Sequence, residues 1–225
     1  MKKLLRRVKR IADKVFGTKA DEFFWRFRHI IHDRTWAESY VSREALEHSH
    51  RKFLFQVIER HAPLGKVLEI GCASAPNLII LSQKFPETEF QGIDISENAI
   101  SVGKKYVKEH NIPNISLKAG NADSIKNFPD KSFDVVFTDA MLIYIGPEKI
   151  KEVLKEIIRI SKKSVILVEW LSEKRQAYIA DHWSYNWHLL FEELGVSDTR
   201  ITRFSDESWQ GEWAKRGCIV EVSLK

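Results

Sequence analysis

Glu69 and Gly71 close the apolar run VLEIG, and Asp94 follows Gly71 by 23 residues at the end of a second run, GID. In an open α/β sheet, ligands settle at the bend where the first strand feeds the first helix. A diphosphate at such a bend needs glycines for close backbone approach, and a neighbouring carboxylate repels it. Here the loop reads Gly71-Cys72-Ala73-Ser74-Ala75, with alanine where a dinucleotide loop repeats glycine, and no Gly-Lys-Ser/Thr follows to make a P-loop. The two alanines fit if φ is negative at both positions. Glu69 favours a ligand that carries positive charge, while a carboxylate on that ligand can use the amides at Pro76 to Leu78, where a helix starts. Asp94, an acceptor-only side chain when ionised, suits a vicinal diol. For proton transfer the first candidate is His182, in the segment HWSYNWH, with Tyr144 next.

These side chains need strands that end on one edge. Residues 66–70, 89–94, 115–119, 133–138 and 164–169 read as apolar strands. Residues 76–85, 97–110 and 147–160 read as helices, the first with proline at its start and the second capped by Ser96. Strands separated by helices indicate parallel βαβ units. A polar helical region is expected from Trp170 to Leu194, then residues 199–204 and 218–224 as an antiparallel hairpin. The expected count is seven strands, five parallel and then a reversed pair, preceded by helices over residues 21–32 and 42–61.

With 225 residues, 44% of them apolar, the chain suits one core, divided into an N-terminal helical extension (residues 1–62) and a main domain (residues 63–225). Cys72 and Cys218 are too few for a disulfide framework and show no zinc-type spacing, so no metal is expected. The net charge of +5 is unevenly placed: Met1 to Lys19 hold eight Lys/Arg against one Asp, for +7, which leaves −2 on the remainder. A near-neutral body argues against a nucleic-acid substrate. Residues 1–16, MKKLLRRVKRIADKVF, read as a basic amphipathic helix suited to peripheral membrane contact, or to docking on its own domain or a partner. Neither a spanning helix nor a secretory signal is expected, which points to a cytoplasmic protein.

Taken in order, VLEIGCASAPN, GIDIS, GNADSI and FDVVFTDAMLIYI resemble the successive motifs of class I S-adenosylmethionine-dependent methyltransferases, over roughly Lys66 to Trp170. S-adenosylmethionine carries the charges that Glu69 and the helix start favour. The resemblance implies a Rossmann-like, seven-stranded, mostly parallel sheet with a C-terminal antiparallel strand. It implies that Glu69, Gly71 and Ala73 face the methionine part of the cofactor, with Asn77 beside them. Asp94 and Ile95 would meet the ribose, Asn121, Ala122 and Asp123 the adenine, and Asp139 the methionine amino group. Thr138-Asp139-Ala140-Met141 departs from the Asn/Asp-Pro-Pro-Tyr/Phe signature of base-amine methylation, so a small-molecule or lipid-like acceptor, methylated on oxygen or nitrogen, is expected. Tyr40, His50, Tyr144, Glu169, Trp170 and His182 are the candidates for the acceptor pocket, with Arg43, His48, Trp209 and Trp213 as further ones, and Glu169 and His188 are further candidate bases. The alternative is a cofactor-binding regulatory or scaffold protein without transfer chemistry. A nicotinamide dehydrogenase is disfavoured by Glu69 and the missing glycines.

Overall fold

The computed structural model describes residue 12 and residues 15–31 and 35–224. The helix expected over residues 1–16 lies mostly outside the described residues.

Seven strands form one twisted sheet: β1 (Lys66–Ile70), β2 (Glu89–Asp94), β3 (Ile115–Ala119), β4 (Phe133–Asp139), β5 (Ser161–Trp170), β8 (Thr199–Arg203) and β9 (Gly217–Ser223). Their order is β3-β2-β1-β4-β5-β9-β8. β1 to β5 are parallel, as near-continuous runs such as Val67 to Ile70 and Val135 to Thr138 require when both faces are buried. β9 inserts antiparallel beside β5, and β8 pairs antiparallel with β9. Only β9 is therefore reversed, not a pair of strands, because β8 reaches the outer edge and regains the common direction.

One face of the sheet is covered by α7 (Ile150–Ile160) and α8 (Trp187–Glu193). In α7 the buried residues Ile150, Val153, Leu154 and Ile157 follow the helical period. α4 (Ser49–Glu59) and α5 (Pro76–Lys84) cover the other face through Leu54, Ile58, Leu78 and Leu81. α6 (Glu97–Glu109), whose N-cap Ser96 accepts from the Ala99 amide, packs over β2 and β3.

Two regions depart from the expected elements. The helix expected over residues 42–61 is broken into α3 (Arg43–Leu46) and α4, because His48 takes extended backbone and its ring accepts from the His50 amide. The polar helical region before Leu194 is instead a β-hairpin, β6 (Gln176–Ile179) with β7 (His182–Tyr185), followed by α8. Its two-residue turn, Ala180-Asp181, has φ of 48° and 65°, the positive values that such a hairpin turn demands, supplied here without glycine.

The helices α1 (Thr18–Ile31) and α2 (Trp36–Ser39) lie over the carboxyl ends of the parallel strands. Thr18 fastens α1: its hydroxyl donates to Glu148 at 2.6 Å and accepts from the Gly146 amide at 2.8 Å.

Candidate active site

The carboxyl ends of β1, β2 and β4 open into a cavity of about 340 Å³. Glu69 and Asp139, near the ends of the adjacent strands β1 and β4, are joined by one amide. The side-chain nitrogen of Asn77 donates to Glu69 Oε1 at 2.6 Å and to Asp139 Oδ2 at 3.0 Å. The Arg51 guanidinium orients that amide by donating to Asn77 Oδ1, and also reaches the Ala45 carbonyl at 2.8 Å and Asp139 at 3.4 Å. His50 Nε2 completes the set, 3.0 Å from Asp139 Oδ2. Burial raises the Glu69 carboxyl to about 8, more than the Asn77 hydrogen bond lowers it. Burial pushes Asp139 upward too, but His50, Arg51 and Asn77 outweigh it and hold this carboxyl at about 2.

One oxygen of each carboxyl group, Glu69 Oε2 and Asp139 Oδ1, is buried without a hydrogen-bond partner among the described residues. Buried carboxyl oxygens are costly to leave unmet. Both belong to residues that line the cavity, so the lining fits an amino-acid ammonium.

The loop from β1 to α5 is fixed by Asp94. Its Oδ2 accepts from the Ala73 amide and its Oδ1 from the Ser96 amide, both at 2.8 Å, and each oxygen keeps a lone pair. Ala73 and Ala75 have φ of 47° and 66°, contrary to the negative angles expected for alanine. The Asp94 bond, and that from the Ala75 amide to the Cys72 carbonyl at 2.7 Å, hold them in a region that costs an L-residue about 1 kcal/mol each. Gly71 is needed as glycine: its φ is 78°, and a Cβ there would come within 2.4 Å of the Met141 side chain. Ile95, Asn121 and Ala122 also line the cavity. Asp123, expected beside the adenine, is turned away and bonds Lys149 at 2.7 Å, an ion pair that holds its carboxyl below the usual range.

The remaining wall is aromatic. Tyr40, His50, Tyr144, Trp170 and His182 line the cavity as expected, together with Trp25, Trp36, Trp209 and Trp213. Trp209 stacks on the His50 ring at 3.9 Å, and Trp213 stacks on Trp209 at 4.1 Å. His182 Nδ1 lies 2.7 Å from the Ala180 carbonyl, so in the neutral ring this nitrogen carries the proton. Nε2 is then an acceptor, 3.3 Å from the Tyr144 hydroxyl. Burial raises the Tyr144 phenol, which keeps it a donor and unsuited to act as a base.

Glu169 does not line the cavity, contrary to its expected place there. Successive strand residues face opposite ways, and Trp170 takes the cavity side. The Glu169 carboxyl instead accepts from Thr138 Oγ1 at 2.8 Å and from the amides of Met141, Leu142 and Ile143 at 2.9 to 3.1 Å, pinning the turn that carries Tyr144. Burial raises this carboxyl to about 7 against those hydrogen bonds. Arg43 pairs with Glu47 in solvent, His188 is exposed on α8, and His48 stands behind two lining residues, His50 at 2.6 Å between ring nitrogens and Trp209 at 5.3 Å between ring centroids. Arg51 and Asn77, which tie the two carboxyl groups together, are the principal contributors that spacing does not reveal as a pair. Arg51 lies on a helix whose orientation is set by tertiary packing.

The strand order is that of the Rossmann-like methyltransferase fold. Residues 67–164 match the family model described as "Methyltransferase domain". Over 107 residues the chain is 36% identical to a demethylmenaquinone methyltransferase of Geobacillus stearothermophilus, covering 46% of this chain and 43% of the relative. The chain thus spans less than half the length of that relative. Among solved structures, a "SAM dependent methyltransferase" from Aquifex aeolicus superposes with a TM-score of 0.62 at 18% identity, covering 86% of this chain and 99% of the other. The cyclase SpnF superposes with a TM-score of 0.59 at 15% identity, covering 78% of this chain and 81% of the other. The shared architecture therefore carries more than one chemistry.

Proposed function

We propose that this protein transfers a methyl group from S-adenosylmethionine to a hydroxyl or amine of a small, apolar, ring-bearing acceptor. The observation that carries the reading is the pair of unpartnered carboxyl oxygens, Glu69 Oε2 and Asp139 Oδ1, in the same cavity as the aromatic wall and the His182–Tyr144 pair. Bound there, the cofactor supplies an electrophilic methyl group on a sulfonium. Glu69 and Asp139 hold its ammonium, and Asp94 uses its remaining lone pairs for the ribose hydroxyls. Ile95, Asn121 and Ala122 flank the adenosine. Trp25, Trp36, Trp170, Trp209 and Trp213 exclude water and offer flat faces to a ring. Tyr144 donates to the acceptor heteroatom, and His182 Nε2 takes the proton that the heteroatom loses.

The name of the Geobacillus stearothermophilus relative, a demethylmenaquinone methyltransferase, fits a ring-bearing, lipid-like acceptor. It also keeps a quinone in its reduced, hydroxyl-bearing form among the substrates to try. No helix among the described residues is long and apolar enough to cross a membrane, so any bilayer contact of this chain is proposed as peripheral.

The test is incubation with methyl-labelled S-adenosylmethionine and a panel of phenols, aryl amines and hydroquinones, with and without an isoprenoid tail. Label on a heteroatom of at least one acceptor is expected. Tight S-adenosylhomocysteine binding with no transfer to any acceptor would overturn the reading in favour of a cofactor-binding scaffold, and label on ring carbon would correct the atom.

A further inference from the structure

Helix α1 shows two chemistries on two faces. Thr18, Asp21, Glu22 and Trp25, at helical spacing, line the cavity. Both acids of the helix belong to this face: Asp21 is buried, and Glu22 pairs with Lys149 at 3.0 Å. Arg28 is also turned inward, its guanidinium 4.6 Å from the Trp25 ring and 4.8 Å from the Trp36 ring.

The outer face carries Lys19, Phe23, Arg26 and Ile30, all exposed and spaced four, three and four residues apart, so they form one stripe. Phe23 and Ile30 are 62% and 65% exposed, and Val15 and Phe16, just before the helix, are 67% and 65% exposed. These four are the most exposed large apolar side chains among the described residues. The stripe alternates cation and hydrocarbon and holds no acid. The sequence immediately before it, Met1 to Lys14, adds seven Lys/Arg against one Asp.

We propose that this face of α1 docks on an anionic lipid bilayer, and that the acceptor enters the cavity from that surface. The inference rests on the acceptor being lipid-like, as proposed above, and adds where it is met. Exposed phenylalanine and isoleucine enter the headgroup boundary while lysine and arginine meet anionic headgroups. A second copy of the chain is a poorer occupant. A two-fold contact would set this face against itself, basic side chain against basic side chain, with no acid to pair. Because the opposite face of the same helix lines the cavity, docking brings the cavity wall to the lipid.

The test uses the full chain and sedimentation with phosphatidylcholine vesicles, with and without phosphatidylglycerol. Binding is expected only with phosphatidylglycerol, and it should weaken as the Debye length falls from about 30 Å at 0.01 M salt to about 8 Å at 0.15 M. K19Q/R26Q should lower affinity for these vesicles about thirtyfold, given about fivefold per basic residue at an anionic surface. F23S/I30S should lower it tenfold or more. Neither variant touches the cavity lining, so S-adenosylhomocysteine affinity should be unchanged. Vesicle binding equal to wild type in both variants would overturn the proposal, as would a wild-type chain that ignores anionic vesicles at low salt. A concentration-dependent dimer abolished by F23S/I30S, with vesicles ignored, would assign the face to a second copy. Transfer to a water-soluble acceptor without vesicles tests the catalytic reading separately.

Discussion

The two halves of the cavity are built in opposite ways. On the proposed cofactor side, Glu69, Asp94 and Asp139 lie at or near the ends of β1, β2 and β4, and their positions follow from strand register. On the proposed acceptor side, the wall is assembled by side-chain packing from segments far apart in sequence: Trp25 of α1, Trp36 of α2, Tyr144, His182 at the start of β7, and the stacked Trp209 and Trp213. One half is polar and held by backbone, the other aromatic and held by rings. A strand-end site is therefore hard to vary, whereas the ring wall can change with its loops, which accounts for a fold that serves many acceptors.

Asp139→Ala should weaken S-adenosylhomocysteine binding by about 3 kcal/mol, because it removes a charged acceptor and strands Arg51 and His50. Titration calorimetry on the folded variant checks this, and an affinity within twofold of wild type would remove Asp139 from the site.

On the aromatic side, His182→Gln should lower kcat about a hundredfold and leave S-adenosylhomocysteine affinity intact, since a glutamine cannot take the proton. A variant with wild-type kcat would return His182 to packing against Trp170 and Tyr144.

The smallest expected effect sharpens the contrast in backbone. Ala73→Gly should raise the stability of the ligand-free protein by about 1 kcal/mol, because φ is 47° there and glycine relieves the left-handed strain. Denaturant unfolding measures it, and a destabilised variant would show that the Ala73 methyl is needed in its packing.

This division also explains what the sequence discloses. Strand bounds such as 66–70 and 89–94 are legible because apolar runs and turn residues set them locally, and Glu69, Gly71 and Asp94 are found through their fixed spacing. The left-handed angles of Ala73 and Ala75 are hidden, because alanine carries no sign of them and the Asp94 bond that imposes one of them is tertiary. The hairpin turn at Ala180-Asp181 is hidden for the same reason, as it lacks the glycine that marks such turns. Glu169 shows how a strand-end acid misleads: it stands on β5 much as Glu69 stands on β1, yet its side chain goes to the Met141 to Ile143 amides rather than to the cavity. Arg51 is unreadable as a partner of Asn77 because 26 residues, including the whole of β1, separate the motif from its support.

In the proposed site, Glu69 and Asp139 together receive the ammonium of the cofactor. In the free protein the Glu69 carboxyl is held at about 8, so at pH 7 it is mostly protonated, and an arriving ammonium must draw its pKa down and expel that proton. Calorimetry of S-adenosylhomocysteine binding at pH 7, in buffers of different ionisation enthalpy, should show close to one proton released by the wild-type protein and none by Glu69→Gln, with wild-type affinity rising as pH climbs to about 8 and then levelling. Binding that releases no proton, with an affinity flat across this range, would contradict the claim.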